Sequence, residues 1–490
     1  MVEARGALAS AQDQPDAGAT RAWHGHWTAL SDLEGIRHRV ELRIEPGHAT
    51  LSLPELGLIA VPLVDLTVED GRLSATASLL GRLVLTPRDQ YLEGVLERAD
   101  GPVPLTFSKD GPEVRPFTIA RLGPRGRRVE APAPAAPAQL GDGWAVGSLA
   151  DAGIDASPVR DLLAAVCTER YPAVDAVVLV VAGRLVLDEY FHGKGPDDLH
   201  TFQSCTKSVT ALLFGAVVDR GLVDLDEPVW RYVADRRGHR WVDQRYDVTV
   251  RQVLAMSVGL RWEEQVAYTD PTNDNTRMNA SGDWLGYVLD RGLRPGFPRL
   301  EPGLRVPGRF EYQSGLTILL GAVVRSVTGR DVDDLTRDWI FAPLGIERFV
   351  WLRSRDGTVH TGGGLFLRPR DAAKLGQLVL RRGEWDGHEV VSSQWIDAMT
   401  SVQSRDDVTD YGFQWFLPRL VAGDHEVPAA AMGGYGGQFV HVVPALDVVA
   451  VSNATDYLGD GSYRRILEEH LLPAVVAGRR GRRTGAQEGA

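Results

Sequence analysis

The chain has 490 residues, of which 44 % are hydrophobic and 24 % are charged, a balance typical of globular proteins with a sizeable core. Its formal net charge of -12 disfavours nucleic acid as a partner, because an acidic surface repels a polyanion. No run of about 18 apolar residues predicts a membrane span, and the polar N-terminus lacks the pattern of a secretion signal. These features predict a cytoplasmic protein with neither a nucleic-acid nor a membrane partner.

Residues 23–110 are predicted to form a small all-β, barrel-like domain. Hydrophobic and polar residues alternate over short stretches such as 40–44 and 49–53, as in half-buried strands. Asp70-Gly71 is a typical hairpin turn between two such stretches. The regular spacing of strands and turns indicates a small barrel or sandwich.

A proline-, alanine- and arginine-rich segment at 111–140 is predicted to be an extended linker. The second domain, at 141–475, mixes strands with helices, which predicts an α+β fold with an antiparallel sheet flanked by helices. Residues 1–22 and the basic tail at 476–490 are predicted to be disordered. The predicted elements of the second domain are a buried hairpin at 176–190, helices at 204–219, 249–256, 317–327 and 369–381, strands at 411–417, 438–443 and 448–452, and a closing helix at 462–472.

The motif Ser204-Cys205-Thr206-Lys207 opens the first long predicted helix. Residues three apart share a helix face, so the Lys207 amine can reach the Ser204 hydroxyl. A serine hydroxyl needs a neighbouring base, and a buried lysine can lose its proton whereas arginine cannot. Lysine occurs only four times among the 53 basic residues. The motif alone is weak evidence, but its position predicts Ser204 as a nucleophile and Lys207 as its base.

Two further segments carry candidate site residues. Tyr312 lies at a predicted turn before a helix, where its hydroxyl could share a proton with Lys207; a packed aromatic residue is the alternative. The glycine-rich segment around Tyr435 precedes an apolar strand. Its glycines would let a substrate approach the backbone, and one of its N–H groups together with that of Ser204 could form an oxyanion hole. An ordinary glycine-rich turn is the alternative there.

Together these segments resemble the serine β-lactamase and penicillin-binding-protein superfamily, in particular the class C-like branch of esterases and 6-aminohexanoate-dimer hydrolases. The first motif matches the family's Ser-x-x-Lys, and Tyr312-Gln313-Ser314 matches its Tyr-x-Asn. The resemblance implies a β-lactamase-like fold over nearly all of 141–475 and an acyl-enzyme on Ser204. It also implies Lys207 and Tyr312 as the proton-transfer pair, and an oxyanion hole from the N–H groups of Ser204 and a residue near Tyr435.

The chain departs from the family pattern at two points. Ser314 replaces the usual asparagine, and no Lys-Thr-Gly motif precedes the last strands. His360-Thr361-Gly362 imitates that motif, but a predicted helix follows it, so we interpret it as unrelated. Without the motif's cation, binding of a β-lactam carboxylate is disfavoured, and a neutral ester or small amide is favoured.

Several other residues are weighed as substrate contacts. Tyr268 is one because a loop tyrosine plays this part in the dimer-hydrolase branch. Glu263-Glu264 is interpreted as solvated charge, since adjacent residues face apart in regular structure. No zinc spacing, phosphate loop or Gly-x-Ser-x-Gly elbow is present, so neither metal nor cofactor is expected. The remaining candidate contacts are Ser314, Gly434, Gly436 and Gln438.

The sequence therefore predicts a serine hydrolase acting on a small-molecule ester or amide. Two alternatives stay open: a non-catalytic ligand-binding or regulatory protein of the same fold, and a true β-lactamase or D-Ala peptidase. The N-terminal domain resembles lipocalin-like barrels found fused to hydrolases. Shaping of substrate access, ligand binding and self-association into a homo-oligomer are all compatible with it.

Overall fold

The computed structural model describes residues 23–33, 36–46, 48–53, 58–77, 81–88, 90–98, 101–109, 122–123, 127–128, 133–167, 170–171, 173–192, 194–268, 270–298, 307–354, 356–457 and 463–478. The chain divides into two compact units, of which the first comprises Met1–Arg115 and Ala267–Pro271 and the second the remainder. The predicted disordered segment 1–22, most of the basic tail and much of the predicted linker lie outside the described residues.

The first unit contains a closed antiparallel barrel of eight strands, which confirms the predicted barrel. Each strand pairs with the next one along the chain, and the last pairs with the first. Alternate residues point inward and fill the barrel; Val40, Leu42 and Ile44 are at most 2 % exposed. The strands are β1 (Gly25–Leu33), β2 (Ile36–Glu45), β3 (His48–Leu53), β4 (Leu58–Glu69), β5 (Arg72–Ala77), β6 (Gly81–Arg88), β7 (Tyr91–Arg98) and β8 (Gly101–Ser108).

The second unit is built on an antiparallel sheet with helices on both faces, the α+β arrangement that the sequence predicts. Its strands are β9 (Leu122–Gly123), β10 (Arg127–Arg128), β11 (Val174–Val181), β12 (Arg184–Tyr190), β13 (His200–Thr201), β14 (Gly308–Arg309), β15 (Phe349–Trp351), β16 (Leu365–Leu367), β17 (Glu384–Trp385), β18 (His388–Glu389), β19 (Ser404–Arg405), β20 (Asp410–Tyr411), β21 (Arg419–Ala422), β22 (His425–Pro428), β23 (Ala430–Gly434), β24 (Gln438–Val443) and β25 (Val448–Ala454). Five of them form the main sheet in the order β12-β11-β25-β24-β23, and the others form small two- and three-stranded sheets.

Strand β11 is buried along its whole length, because apolar clusters cover both faces of the sheet. Val178 and Val180 join the cluster on one face, whereas Val177 and Leu179 join the cluster on the other. A strand buried on both sides favours apolar residues on both faces, which explains the unbroken hydrophobic run from Ala176 to Val181.

The predicted helices at 204–219, 249–256, 317–327 and 369–381 are confirmed to within two residues at each end. Thr249 caps its helix as predicted: its hydroxyl accepts from the Gln252 N–H, and the Gln252 side chain accepts from the Thr249 N–H. The helices are α1 (Ala156–Cys167), α2 (Cys205–Asp219), α3 (Arg240–Asp243), α4 (Val250–Leu254), α5 (Asp274–Ala280), α6 (Trp284–Leu289), α7 (Gly315–Thr328), α8 (Val332–Thr336), α9 (Pro369–Leu380), α10 (Ser393–Met399) and α11 (Tyr463–Arg465), with a π-helical turn at Ile466–Leu471 continuing α11.

The strand predicted at 411–417 is wrong beyond its first residue. Only Asp410–Tyr411 forms a strand, because Gln414 adopts a left-handed backbone conformation with φ 60°. The buried Gln414 side chain donates to Leu254 O at 2.8 Å and accepts from Thr317 Oγ1 at 2.7 Å. The segment is therefore a buried turn in which two helices bind the Gln414 side chain.

Helix α9 carries two buried cations. Arg370 is 1 % exposed and donates to the carboxylates of Asp142 and Asp188 at 2.6 and 2.7 Å. Lys374 is fully buried and pairs with Asp371 at 3.1 Å. The two Arg370 pairs attach the segment before α1 and the sheet edge to α9.

Among the described helices, none is long and apolar enough to cross a lipid bilayer.

Candidate active site

Ser204 lies immediately before helix α2, where the chain passes from the short strand β13 into the core. Gln203, the residue before it, has φ 45°, a left-handed conformation that costs energy for a residue with a side chain. The Lys207 N–H donates to Ser204 O at 3.0 Å, so the first helical turn brings the two side chains onto one face. Strained backbone of this kind is concentrated at functional sites.

Lys207 is buried, with 2 % of its surface exposed. Its Nζ atom lies 2.9 Å from Ser204 Oγ and donates to Gly362 O at 2.5 Å. Burial lowers the pKa of Lys207 to about 8, while the negative charge of Glu264 acts in the opposite direction. Near neutral pH a fraction of Lys207 is therefore an uncharged amine next to the serine hydroxyl.

Tyr312 precedes helix α7 and joins the same cluster. Lys207 Nζ lies 5.1 Å from the centre of its ring. The ring also stacks on Phe416, with 6.1 Å between centroids and 16° between planes. The structure thus brings the three predicted catalytic residues together, and aromatic packing restricts the orientation of Tyr312.

Glu264 is part of this cluster, which corrects its interpretation as solvated charge. Its carboxylate accepts from Ser314 N at 2.7 Å, from Ser314 Oγ at 2.8 Å and from Trp262 Nε1. Because residues 261–268 form an irregular segment, the alternation expected for a regular element does not apply to Glu264. Ser314 in place of the family's asparagine is the one sequence signal that could have indicated this contact with Glu264.

The segment His360–Gly362 also lines the site, although it is not part of the main sheet. Gly362 O accepts from Lys207, and His360 Nε2 lies 3.0 Å from Asn279 Oδ1. Burial and the nearby charge of Lys207 lower the pKa of His360 to about 4, so the imidazole is neutral at pH 7. The segment is thus unlike a Lys-Thr-Gly motif in charge, but it contacts Lys207, which the interpretation of it as unrelated to the site did not anticipate.

The end of β23 runs close to the residues before Ser204. A Cβ atom at Gly434 would lie 2.8 Å from Phe202 O, and one at Gly436 would lie 2.3 Å from the Tyr457 ring. Tyr435 is 36 % exposed, and its hydroxyl donates to Tyr457 O at 2.8 Å. This close approach is compatible with the predicted oxyanion hole, which stays a prediction.

The structure describes the surroundings of two further predicted substrate contacts. Gln438 is fully buried in β24, where its amide donates to Ala454 O and accepts from Asn453 at 3.0 Å. Its side chain is therefore already bonded within the sheet. Tyr268 lies half-buried in Ala267–Pro271, a segment grouped with the first unit rather than with the unit that carries Ser204. Its contact with substrate remains a prediction.

A buried aspartate holds the segment that leads into Ser204. Asp175 on β11 binds His192 Nδ1 at 2.9 Å and His200 Nε2 at 2.8 Å. Burial alone would raise the pKa of Asp175, but the hydrogen bonds from both histidines lower it well below its usual range. His200 is four residues before Ser204, so this carboxylate ties the approach to the nucleophile onto the central sheet.

Metal binding has no support in the described part of the chain. No group of three or more histidine, cysteine, aspartate or glutamate side chains there is arranged to hold a metal ion.

Comparison with known proteins gives the family. The model of the beta-lactamase family matches residues 168–471, which include the serine, lysine and tyrosine of this site and the strands of the main sheet. The chain belongs to the beta-lactamase family.

One curated relative is the 6-aminohexanoate-dimer hydrolase of Paenarthrobacter ureafaciens. It is 31 % identical over 253 residues, which cover 49 % of this chain and 60 % of the relative. The match thus spans less than two thirds of that relative's length.

Two solved structures share the fold. One is a Bacillus anthracis protein provisionally described as a 6-aminohexanoate-dimer hydrolase, with a TM-score of 0.53 and 19 % identity over 63 % of this chain and 80 % of that one. The other is a penicillin-binding-protein homologue from Caulobacter crescentus, with a TM-score of 0.51 and 19 % identity over 68 % of this chain and 99 % of that one. At this identity the likeness shows the fold alone.

We predict that Asp175→Asn lowers the free energy of unfolding by about 3 kcal/mol at pH 7, because it removes the charge that both histidines bind. A carboxylate with a lowered pKa stabilises the fold above its unfolded pKa of about 3.9, and this contribution is lost as the pH falls. The difference in the free energy of unfolding between variant and wild type should therefore shrink below pH 4. Urea unfolding at pH 7 and pH 3 measures both values.

Asp198→Asn is the matched control, since Asp198 lies on an exposed loop and accepts only the Gly195 N–H among the bonds described for it. It should change stability by less than about 0.5 kcal/mol. Equal effects of the two substitutions would contradict the assignment.

Proposed function

We propose that this protein is a serine hydrolase that cleaves a small ester or amide through an acyl-enzyme on Ser204. The observation that supports the proposal best is the buried Lys207 amine 2.9 Å from Ser204 Oγ. A serine hydroxyl without such a base is a poor nucleophile, and a binding site has no need of one.

In the proposed acylation step, uncharged Lys207 accepts the proton of Ser204 as Oγ bonds to the substrate's carbonyl carbon. The carbonyl oxygen gains negative charge, which the N–H groups of Ser204 and Tyr435 would stabilise. The carbon–heteroatom bond then breaks, and the leaving alcohol or amine receives the proton from Lys207 through the Tyr312 hydroxyl. Water repeats the sequence on the ester of Ser204, which releases the acid and restores the serine.

Charge distribution supports esters and small amides over β-lactams. The stretch 427–443, which contains β23 and β24, has neither lysine nor arginine to bind a substrate carboxylate. Glu264 places a negative charge near Ser314, which would repel such a carboxylate further. The relative from Paenarthrobacter ureafaciens is named for a dimer of an amino acid, which supports testing small amides beside esters.

We predict that a fluorophosphonate probe adds one label to the wild-type protein and none to Ser204→Ala, as measured by intact-protein mass. Ser208→Ala is the matched control, because Ser208 lies one turn further along α2 and its hydroxyl donates to Gln414 O at 2.6 Å. This control should label as the wild type does. Labelling that survives Ser204→Ala would contradict the proposed nucleophile, and a folded wild type that never labels or turns over substrate would indicate the non-catalytic alternative.

We also predict that the labelling rate rises with pH around a midpoint near 8. Lys207 acts only in its uncharged form, and burial lowers its pKa to about 8. Lys207→Arg should reduce the rate by about 1,000-fold across the pH range, since arginine keeps its proton. The exposed-loop variant Lys194→Arg should keep the wild-type rate and midpoint. A Lys207→Arg protein with a normal pH profile would exclude Lys207 as the base.

A further inference from the structure

The second charged group of the site is Glu264, and the chain holds its carboxylate firmly. Three donors from two segments face its two oxygens: Ser314 Oγ, Ser314 N and Trp262 Nε1. Trp262 is fixed in turn by an edge-to-face contact with Tyr287, at 6.1 Å between ring centroids. A carboxylate bound by three donors has one orientation and keeps it during a reaction cycle.

Ser314, which binds Glu264, and Lys207 both border Gly362. A methyl group placed on Gly362 would lie 3.3 Å from Ser314 O and 3.8 Å from Lys207 Nζ. Gly362 O also accepts from Lys207 Nζ, so Ser314 and Gly362 are the two residues that link the Glu264 carboxylate to the amine. Charges inside a protein are screened less than charges in water, so a carboxylate fixed at this place favours the charged amine and raises the pKa of Lys207 against the effect of burial.

We propose that Glu264 is a positioning residue whose fixed negative charge controls the protonation of Lys207 and so sets the pH range in which Ser204 is acylated. The proposal rests on the serine hydrolase function proposed above and adds the residue that regulates its base. Burial favours the uncharged amine, and Glu264 favours the charged one. The balance of the two effects keeps the pKa of Lys207 close to physiological pH.

Three titratable groups near this pair are neutral at pH 7. Burial raises the pKa of the Cys205 thiol well above its usual value, and burial with the charge of Lys207 lowers that of His360 to about 4. Burial and the charge of Glu264 raise the pKa of Tyr411. The nearby carboxylates that contact the same segments are paired with arginines: Asp274, which accepts from the Glu263 N–H, with Arg291, and Glu311, which accepts from Gln313, with Arg294. Tyr312 faces Lys207 with its ring.

The position of Glu264 depends on residue 314, where the chain departs from the family pattern. An asparagine there would present a neutral amide, whereas Ser314 directs both its hydroxyl and its backbone N–H at Glu264. Through Ser314, the substitution thus holds the Glu264 carboxylate near Lys207.

The test uses the scarcity of lysine. With only four lysines in the chain, ¹³C-labelled lysine gives few NMR signals, and the Lys207 signal is the one that Lys207→Arg removes. We expect Lys207 of the wild type to titrate near pH 8, and Glu264→Gln to shift this midpoint down by about one pH unit, because the amide keeps the shape but loses the charge. The pH midpoint of fluorophosphonate labelling should move with it.

Two variants separate charge from packing. Glu264→Asp keeps the charge and should keep the wild-type midpoint even if the rate falls. Glu263→Gln removes a neighbouring charge from an exposed side chain and should leave both rate and midpoint unchanged. If Glu264→Gln does not fold, Ser314→Ala tests the position of the charge instead: it removes one of the donors that hold the carboxylate near the base, so it should lower the midpoint by less than one pH unit.

A Glu264→Gln protein that titrates at the wild-type pH would overturn the proposal, whatever its rate. A Lys207 midpoint that moves in Glu263→Gln but not in Glu264→Gln would overturn it as well. The NMR titration does not depend on catalysis, so a shifted Lys207 in a protein that labels without Ser204 would refute the hydrolase mechanism but not the control of Lys207 by Glu264.

Discussion

The exclusion of water from one lysine amine is the physical constraint on which the site depends. An ammonium group removed from water loses its hydration, and the fold replaces only part of it, with Ser204 Oγ and Gly362 O. This is possible because α2 is buried almost all round, with helices on one side and the main sheet on the other. A shorter chain with a smaller core could not enclose a helix in this way.

Four separate segments supply the chemistry. The start of helix α2 carries the serine and the lysine, and the turn before α7 carries Tyr312 and Ser314. The irregular segment 261–268 carries Glu264, and the end of β23 brings its backbone to the strained turn before Ser204. The sheet and the two helices are rigid elements, so chemical groups from different parts of the chain keep fixed distances from one another. Strain in the backbone at Gln203 is tolerated because the buried strands and helices around it determine its conformation.

Local patterns were enough to predict much of this arrangement. The barrel follows from alternation along its strands, and the Ser204–Lys207 pair follows from helical spacing and from a lysine where the composition favours arginine. The contacts of Glu264 with Ser314 and of Gly362 with Lys207 were missed for a common reason. They join segments that are 50 and 155 residues apart in the chain, and irregular loops have no periodicity from which a contact can be predicted. Gln414 shows the same limit, since a left-handed residue interrupts an apolar stretch that otherwise predicts a strand.

The distribution of the four lysines has a practical consequence for handling this protein. Lys207 and Lys374 are buried, whereas Lys109 and Lys194 are partly accessible. Reagents that acylate amines need an exposed, uncharged amine, so among the lysine side chains they will react first at these two accessible positions. Dyes, tethers or solid supports can thus be attached through lysine to the folded protein while the amine beside Ser204 stays unmodified.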